Sequence, residues 1–169
     1  MSPLSPIEPD AEEEEWGVTW EIREATHEDV PAVVTGVREL LVELGGKPLA
    51  TPVLAETAHA LVDDGSAGVV LVAEQEGEVV GIIGVSWQIA MRIPGRYGVI
   101  QELWVKPECR YMTIGADLVG ALVELARKQG VERLEVGLPS ERYAAVSATE
   151  AFYTNNGFTQ IGIRMRRKA

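Results

Sequence analysis

The spacing of hydrophobic positions predicts strands and helices in alternation along most of the chain. Period-two alternation is typical of half-buried strands, whereas apolar residues three and four apart indicate helices. The first half is predicted to contain a strand, two helices and two strands joined as a hairpin at Glu76-Gly77. These elements cover residues 18–23, 26–45, 51–65, 69–74 and 78–88, and Thr26 and Thr51 are the predicted N-caps.

The second half of the chain continues with strands and helices in strict alternation. Its predicted elements are a strand at 97–106, an amphipathic helix at 114–128 that stops near Gly130, a strand at 134–138, a helix at 146–156 and a last strand region at 158–165. The order is βαα, then several strands, then βαβαβ. This order predicts a mixed β-sheet with helices packed on it.

Length and charge limit what kind of protein this is. The 169 residues, 46% of them hydrophobic, fit one globular domain. A formal charge of -11 repels phosphates, so we expect neither nucleic acid nor a membrane surface as a partner. Apolar runs such as 67–73 are too short to span a bilayer, and the first residues show no secretory pattern. We therefore expect a cytoplasmic protein.

Residues 1–15 differ in composition from the rest. They hold three prolines and six acidic residues with no basic residue, which predicts a flexible acidic tail ahead of a single domain at 16–169. An acidic interaction arm is the alternative reading of this tail. The lone cysteine, Cys109, and only two histidines, His27 and His59, argue against a metal site.

The most informative stretch is the strand, basic loop and helix start at 102–116. The first amides of a helix lack intrahelical acceptors and its dipole adds partial positive charge, so a pyrophosphate can bind there with help from Arg110. Gly115 and Ala116 allow a ligand to approach the backbone closely. The chain has no G-x-x-x-x-G-K-[ST] loop and no G-x-G-x-x-G after its first strand, which disfavours ATP and NAD.

Three segments resemble the GNAT superfamily of acyl-CoA N-acyltransferases. They are the opening 22–29, the loop from Val105-Lys106-Pro107 through Arg110 to Ile114-Gly115-Ala116, and the closing 151–158. The resemblance spans about 20–166 and implies the α/β (α+β) GNAT fold, a mixed central β-sheet flanked by helices. It also implies acetyl-CoA as cosubstrate, bound by Val105, Arg110, Tyr111, Met112, Thr113, Ile114, Gly115 and Ala116.

The chain departs from this family pattern at three positions. Tyr111 and Thr113 stand where relatives carry loop glycines, and Val146 stands where many carry asparagine. A Cβ at Thr113 takes room that glycine leaves, although its hydroxyl could cap the helix or reach a phosphate. A non-catalytic acyl-CoA sensor is therefore the alternative to an enzyme, and a pure interaction protein is a third reading.

The resemblance implies direct attack of a substrate amine on the thioester. Glu102 is the candidate base, with Glu24, Glu43 and Glu141 as alternatives, and Tyr153 is the candidate acid. Backbone amides near Val105 would stabilise the oxyanion.

The sequence does not identify the acceptor substrate or the assembly of the chain. The expected acceptor is a small-molecule or peptide amine, selected by the helix pair and a hairpin loop at 89–98. A homodimer is an option for the assembly of the chain. Cys109, His27 and His59 are interpreted as structural, and core packing is the expected role of most tryptophans, which are Trp16, Trp20, Trp87 and Trp104.

Overall fold

A computed structural model describes residues 17–162 and 164–168. The predicted acidic tail, 1–15, and Trp16 lie outside these residues. The strands of the described part are β1 (Glu21–Glu24), β2 (Gly68–Gln75), β3 (Glu78–Ala90), β4 (Ile93–Val105) and β5 (Leu134–Val136). Its α-helices are α1 (Val30–Glu43), α2 (Thr51–Asp63), α3 (Ile114–Lys128) and α4 (Val146–Asn155).

The five strands form one sheet in the order β1-β2-β3-β4-β5. Neighbours are antiparallel except β4 and β5, which run parallel because α3 crosses between them. The predicted mixed sheet flanked by helices is thus confirmed. The β2–β3 hairpin is confirmed as well, since Glu76 (φ 51°) and Gly77 (φ 80°) both adopt the left-handed conformation of a tight two-residue turn.

Two apolar clusters cover the two faces of the sheet. We call them the α3-face cluster and the α1–α2-face cluster. The α3-face cluster contains fully buried side chains of the sheet and of α3, among them Ile83, Ile114, Leu118 and Leu122. The α1–α2-face cluster contains Val33, Val34, Ala58, Val70, Val72, Ile82 and Trp104. Gly36 is needed in α1 because a Cβ there would lie 2.8 Å from the Trp104 ring.

An ionic cluster joins β1, β2 and the entry to α1. The Arg23 guanidinium donates to both carboxylate oxygens of Asp29, at 2.6 and 2.9 Å, and to Glu74 at 2.6 Å. Asp29 also accepts the N–H of Thr26 at 2.7 Å, which fixes the 3₁₀ turn before α1. The Arg23 guanidinium lowers the pKa of Asp29 to about 2, so this buried carboxylate remains ionised over the physiological range.

Two sequence predictions about the fold are wrong. No strand forms in 158–162 or 164–168, where Ile161 and Met165 are exposed, so their apolar pattern is not matched by burial. The predicted hairpin loop at 89–98 is mostly strand, because β3 extends to Ala90 and β4 begins at Ile93, leaving only Met91 and Arg92 as the turn. Within the described ranges, none of the helices is both long enough and apolar enough to cross a membrane.

Candidate functional site

The site lies where β4 and β5 separate. Their pairing runs from Gly98 opposite Leu134 to Ile100 opposite Val136 and then stops. β4 nevertheless continues to Val105, while the chain after β5 leaves strand geometry at residue 137. Among the residues that the structure describes, the last five of β4 therefore have no strand partner on the β5 side.

The orientation of backbone amides shows which groups face this gap. The N–H of Lys106 donates to the carbonyl of Val80 in β3, at 2.8 Å. Successive amides along a strand point to opposite sides, so the N–H of Val105 points away from β3 and toward the gap. Val105 thus has the orientation required of the predicted oxyanion donor.

The start of α3 supplies further free amides beside the gap. The first α3 residue with an intrahelical acceptor is Asp117, whose N–H donates to the carbonyl of Thr113 at 2.9 Å. The amides of residues 114–116 consequently lack such acceptors and share the positive end of the helix dipole. This arrangement can bind an anion, as the sequence predicted for this loop.

Arg110 crosses from the loop to α1. Its Nε donates to the carbonyl of Val105 at 2.8 Å, and its Nη2 forms an ion pair with Glu43 at the end of α1. The guanidinium is thereby held beside the last residue of β4. The contact with Glu43 was not predicted, because 67 residues separate the two partners along the chain.

The two non-glycine residues of the loop occupy different surroundings. The side chain of Tyr111 is exposed. The hydroxyl of Thr113 donates to Asp117 at 3.0 Å, and the same carboxylate oxygen accepts the indole N–H of Trp20 at 3.0 Å. Thr113 makes no side-chain cap hydrogen bond, so the capping alternative is wrong.

The other predicted cofactor residues pack around the first turn of α3. Ile114 is fully buried and Met112 is partly buried against the α3-face cluster, whereas Ala116 stays partly exposed. A Cβ at Gly115 would meet the Phe152 ring at 3.4 Å and a methyl of Val105 at 3.8 Å. Gly115 is therefore the point where β4, α3 and α4 converge.

Glu102 lies on the opposite face of β4, in the α1–α2-face cluster. It is paired with Gly84 of β3, and a Cβ at position 84 would lie 2.5 Å from Oε2 of Glu102. Glycine there leaves the space that the carboxylate fills. Burial raises the pKa of Glu102 to about 7, so this carboxyl can gain or lose a proton near neutral pH.

The other candidate bases are placed differently. Glu43 is engaged with Arg110, and Glu24 and Glu141 are exposed. Glu102 is the carboxylate of this set that lines a cavity, which lies between α1, α2 and the sheet. Its surroundings, rather than the sequence, distinguish it from the alternatives.

Tyr153 is buried in the α3-face cluster. Its ring makes edge contacts with Phe152 and Phe158, with centroids 5.1 and 5.4 Å away. Burial raises the pKa of Tyr153 to about 12, which keeps the hydroxyl protonated and able to donate. Tyr153 and Glu102 therefore lie on opposite faces of the sheet.

A row of polar side chains near Glu102 was missed at the sequence level. The amides of Gln101 and Gln88 donate to the hydroxyl oxygen of Ser86, at 2.8 and 3.1 Å. The β3–β4 register shifts between Gly84 and Val85, so that Gln101 becomes an extra residue of β4. Alternation alone cannot locate such a bulge, which decides which β4 side chains share a face.

Residues interpreted as structural have more contacts than expected. His27 pairs with Asp63 and lies against the ring of His59, with ring centroids 4.9 Å apart. In the part of the chain that the structure describes, no group of three or more His, Cys, Asp or Glu side chains is placed to hold a metal ion. The thiol of Cys109 is buried.

The tryptophans of the described ranges do not line the cavity. Trp87 and Trp104 are buried, in the α3-face and the α1–α2-face cluster respectively, and Trp20 packs partly buried against the former. Core packing is thereby confirmed for these three, as predicted.

Comparison with known proteins agrees with this architecture. Residues 34–158 match the Acetyltransferase (GNAT) family. An aminoalkylphosphonate N-acetyltransferase of Salmonella typhimurium is 30% identical over 154 residues, which cover 87% of this chain and 90% of that protein. The family match covers most of the chain, so the chain belongs to the GNAT acetyltransferase family.

Solved structures share the fold at low sequence identity. A possible acetyltransferase from Clostridium difficile superposes with a TM-score of 0.77 at 22% identity, covering 89% of this chain and 97% of that chain. A predicted acetyltransferase from Clostridium acetobutylicum, solved with acetyl-CoA, gives 0.71 at 17% identity, covering 89% and 96%. The GNAT fold implied by the sequence motifs is confirmed.

Proposed function

We propose that this chain is an acetyl-CoA-dependent N-acetyltransferase that acts on a primary amine. The observation that carries the proposal is the end of β4, where an unpaired strand edge lies between the free amides of α3 and the carboxylate of Glu102. The edge offers a donor for a developing oxyanion and the carboxylate offers a proton acceptor. Both functions are required when an amine displaces a thiolate from a thioester.

The residues at the start of α3 fit the pyrophosphate of acetyl-CoA. Residues 114–116 present amides without intrahelical acceptors, and Arg110, which also pairs with Glu43, holds a guanidinium beside the end of β4. When bound, acetyl-CoA supplies the activated acetyl group as a thioester. The curated relative is named as an N-acetyltransferase and one structural neighbour was solved with acetyl-CoA, which supports the same choice of donor.

Glu102 would act as the general base. A free alkyl ammonium has a pKa near about 10.4, so the amine must lose a proton before it can attack at neutral pH. A carboxyl with a pKa of about 7 accepts that proton more readily than an ordinary glutamate, directly or through one water.

Tyr153 would act as the general acid. Its burial keeps the hydroxyl protonated, so it can donate to the sulfur that leaves as the C–S bond breaks. The edge contacts with Phe152 and Phe158 hold the ring in position. The amide of Val105 would hold the carbonyl oxygen while the C–N bond forms.

Titration calorimetry with acetyl-CoA, followed by a thiol-release assay over a panel of amines, tests the proposal. Arg110→Ala should weaken acetyl-CoA binding by about 1.5–3 kcal/mol, the range for a charge-assisted hydrogen bond. Arg127→Ala is the matched control, since Arg127 pairs with Glu124 at the other end of α3. Equal affinities for the two variants would remove Arg110 from the binding site.

Binding without turnover would instead support the acyl-CoA sensor. Tyr111 and Thr113 in place of loop glycines are the observation that favours this second candidate. A wild-type protein that binds acetyl-CoA but releases no thiol with any amine of the panel would contradict the enzyme.

A further inference from the structure

The cavity beside Glu102 has an unusually apolar lining. It encloses about 60 Å³ between the two N-terminal helices and the sheet. Its walls come from Val33, Val34, Val37, Leu54, Thr57, Ala58, Leu61, Val70, Ile82, Gly84 and Glu102. Of the described residues that line it, Glu102 is the one charged residue, and none is basic.

The shape and charge of this lining select the acceptor. An apolar wall gains free energy by covering methylene groups, and a single carboxylate at one end pairs with a single ammonium. A cavity of about 60 Å³ is small beside ligand pockets of about 300–1,000 Å³, so it admits only a short chain. The gap beside β4 adjoins the same carboxylate, so an amine nitrogen next to Glu102 lies at the strand that carries the site.

We propose that the acceptor is a short unbranched alkylamine without an anionic group, whose chain occupies this cavity. The inference rests on the proposed function and adds the substrate class to it. A carboxylate or phosphonate on the far end of the acceptor would enter an apolar space that holds no cation and one negative charge. Burying such a group unpaired is costly, and like charges in proximity cost several kcal/mol, about the range seen at interfaces.

This inference separates the chain from its curated relative. That protein is named for aminoalkylphosphonates, which carry a strong anion beside or beyond the amine. The identity of 30% leaves room for a different acceptor. A change of substrate within one fold requires only changes in the residues around the acceptor.

Ligand-observed NMR of the unliganded protein at pH 8 tests the proposal without any need for turnover. The probes are n-butylamine, 4-aminobutyrate and 3-aminopropylphosphonate, which share a primary amine and a similar chain length. We expect n-butylamine to bind, and both anionic probes to bind about tenfold more weakly or worse, because of their negative charge. Absence of n-butylamine binding, or equal or tighter binding of either anionic probe, would overturn the inference.

Two alanines of α2 give matched variants that test whether n-butylamine binds in the cavity. Ala58→Leu fills the cavity, whereas Ala60→Leu adds the same group on the exposed side of the same helix. Ala58→Leu should weaken n-butylamine binding by about tenfold or more, the range for steric mismatch in a hydrophobic pocket, and Ala60→Leu should leave it within about twofold. Equal effects would show that the amine binds elsewhere.

A smaller substitution tests the same cavity in case Ala58→Leu does not fold. Val37→Ile adds one methyl group to the lining and should weaken n-butylamine binding by a smaller factor than Ala58→Leu. Calorimetry with acetyl-CoA on the same samples keeps the two proposals distinguishable. Butylamine binding without acetyl-CoA binding contradicts the proposed function alone, whereas acetyl-CoA binding and turnover restricted to anionic amines contradicts the substrate class alone.

Discussion

The two faces of the sheet are packed in different ways. On the α3 face, Ile114, Leu118 and Leu122 are completely buried and fill the space under the helix. On the α1–α2 face, the same sheet carries an ionisable side chain and an open volume between its two helices. Both faces bury apolar side chains, but the α1–α2 face leaves a small open volume beside the carboxylate of Glu102.

The largest effect is expected when the carboxylate of Glu102, on the α1–α2 face, is removed. Glu102→Gln keeps the shape of the side chain but cannot accept a proton, so turnover should fall about 10²–10⁴-fold. The ascending limb of the wild-type pH–rate profile, expected near the Glu102 pKa of about 7, should disappear. Glu132→Gln, an exposed change outside the lining and outside the 102–116 loop, is the control in steady-state assays. An unchanged limb in Glu102→Gln would exclude this base.

Tyr153→Phe tests the acid on the other face. The ring remains packed between Phe152 and Phe158 while the hydroxyl is lost, so turnover should drop about 10²–10⁴-fold with little change in acetyl-CoA affinity. The ascending limb should remain, in contrast to Glu102→Gln. Turnover near that of the wild type would leave an enzyme whose leaving thiolate is protonated by another donor.

Truncations of leucine on each face compare their packing directly. Leu118→Ala removes a fully buried side chain and should lower the free energy of unfolding by about 3–5 kcal/mol. Leu54 is only partly buried, so Leu54→Ala returns less apolar surface to water and should cost about 1–2 kcal/mol. Urea denaturation of both variants measures the difference. Equal losses would mean that the α1–α2 face is packed as tightly as the other.

The pH dependence of the free energy of unfolding tests how far Glu102 is buried on the α1–α2 face. Because the folded-state pKa of Glu102 is raised to about 7 from 4.5, the unfolded chain releases this proton first as pH rises. Wild-type protein should therefore lose about 3 kcal/mol relative to Glu102→Gln between pH 4 and 8. Denaturation of the two proteins at a series of pH values measures this difference in the free energy of unfolding. A constant difference across this range would show that the carboxyl is well solvated.

The smallest effect concerns the ionic cluster at Arg23. The pKa of Asp29 is lowered from 3.8 to about 2, so its contribution is fully present above pH 3.8 and is lost as pH falls through 2. Asp29→Asn should cost about 2 kcal/mol at pH 7 and almost nothing near pH 2. Thermal unfolding at several pH values measures this. A cost that persists at low pH would point to lost hydrogen bonds rather than lost charge.

The sequence predicts the fold better than it predicts the site. Helices α1, α2, α3 and α4 and the β2–β3 hairpin begin and end close to their predicted positions, because the apolar periodicity and the flanking glycines mark them locally. The predicted N-cap at Thr51 is wrong, since Ala50 is the N-cap and Thr51 is the first residue of α2. The predicted last strand failed because an apolar pattern does not ensure a partner strand. Family motifs identified the loop before α3, and the comparisons confirmed the family.

Contacts between distant residues account for what the sequence could not predict. The choice of Glu102 among four carboxylates depends on its pairing with Gly84, and the bulge at Gln101 sets which β4 residues share its face. The ion pair between Arg110 and Glu43 joins residues from different halves of the chain. None of these follows from periodicity or from a local motif.

The unpaired edge of β4 also bears on solubility. Free strand edges invite other chains to add a strand, which is a common route to aggregation. Here the exposed stretch is only five residues long, and the Val105 carbonyl at its end is already taken by Arg110. A charged residue, Lys106, follows directly, and lysine at an edge discourages strand addition. The edge therefore leaves backbone groups available to a ligand, while its short length and the charge of Lys106 disfavour the addition of a strand from another chain.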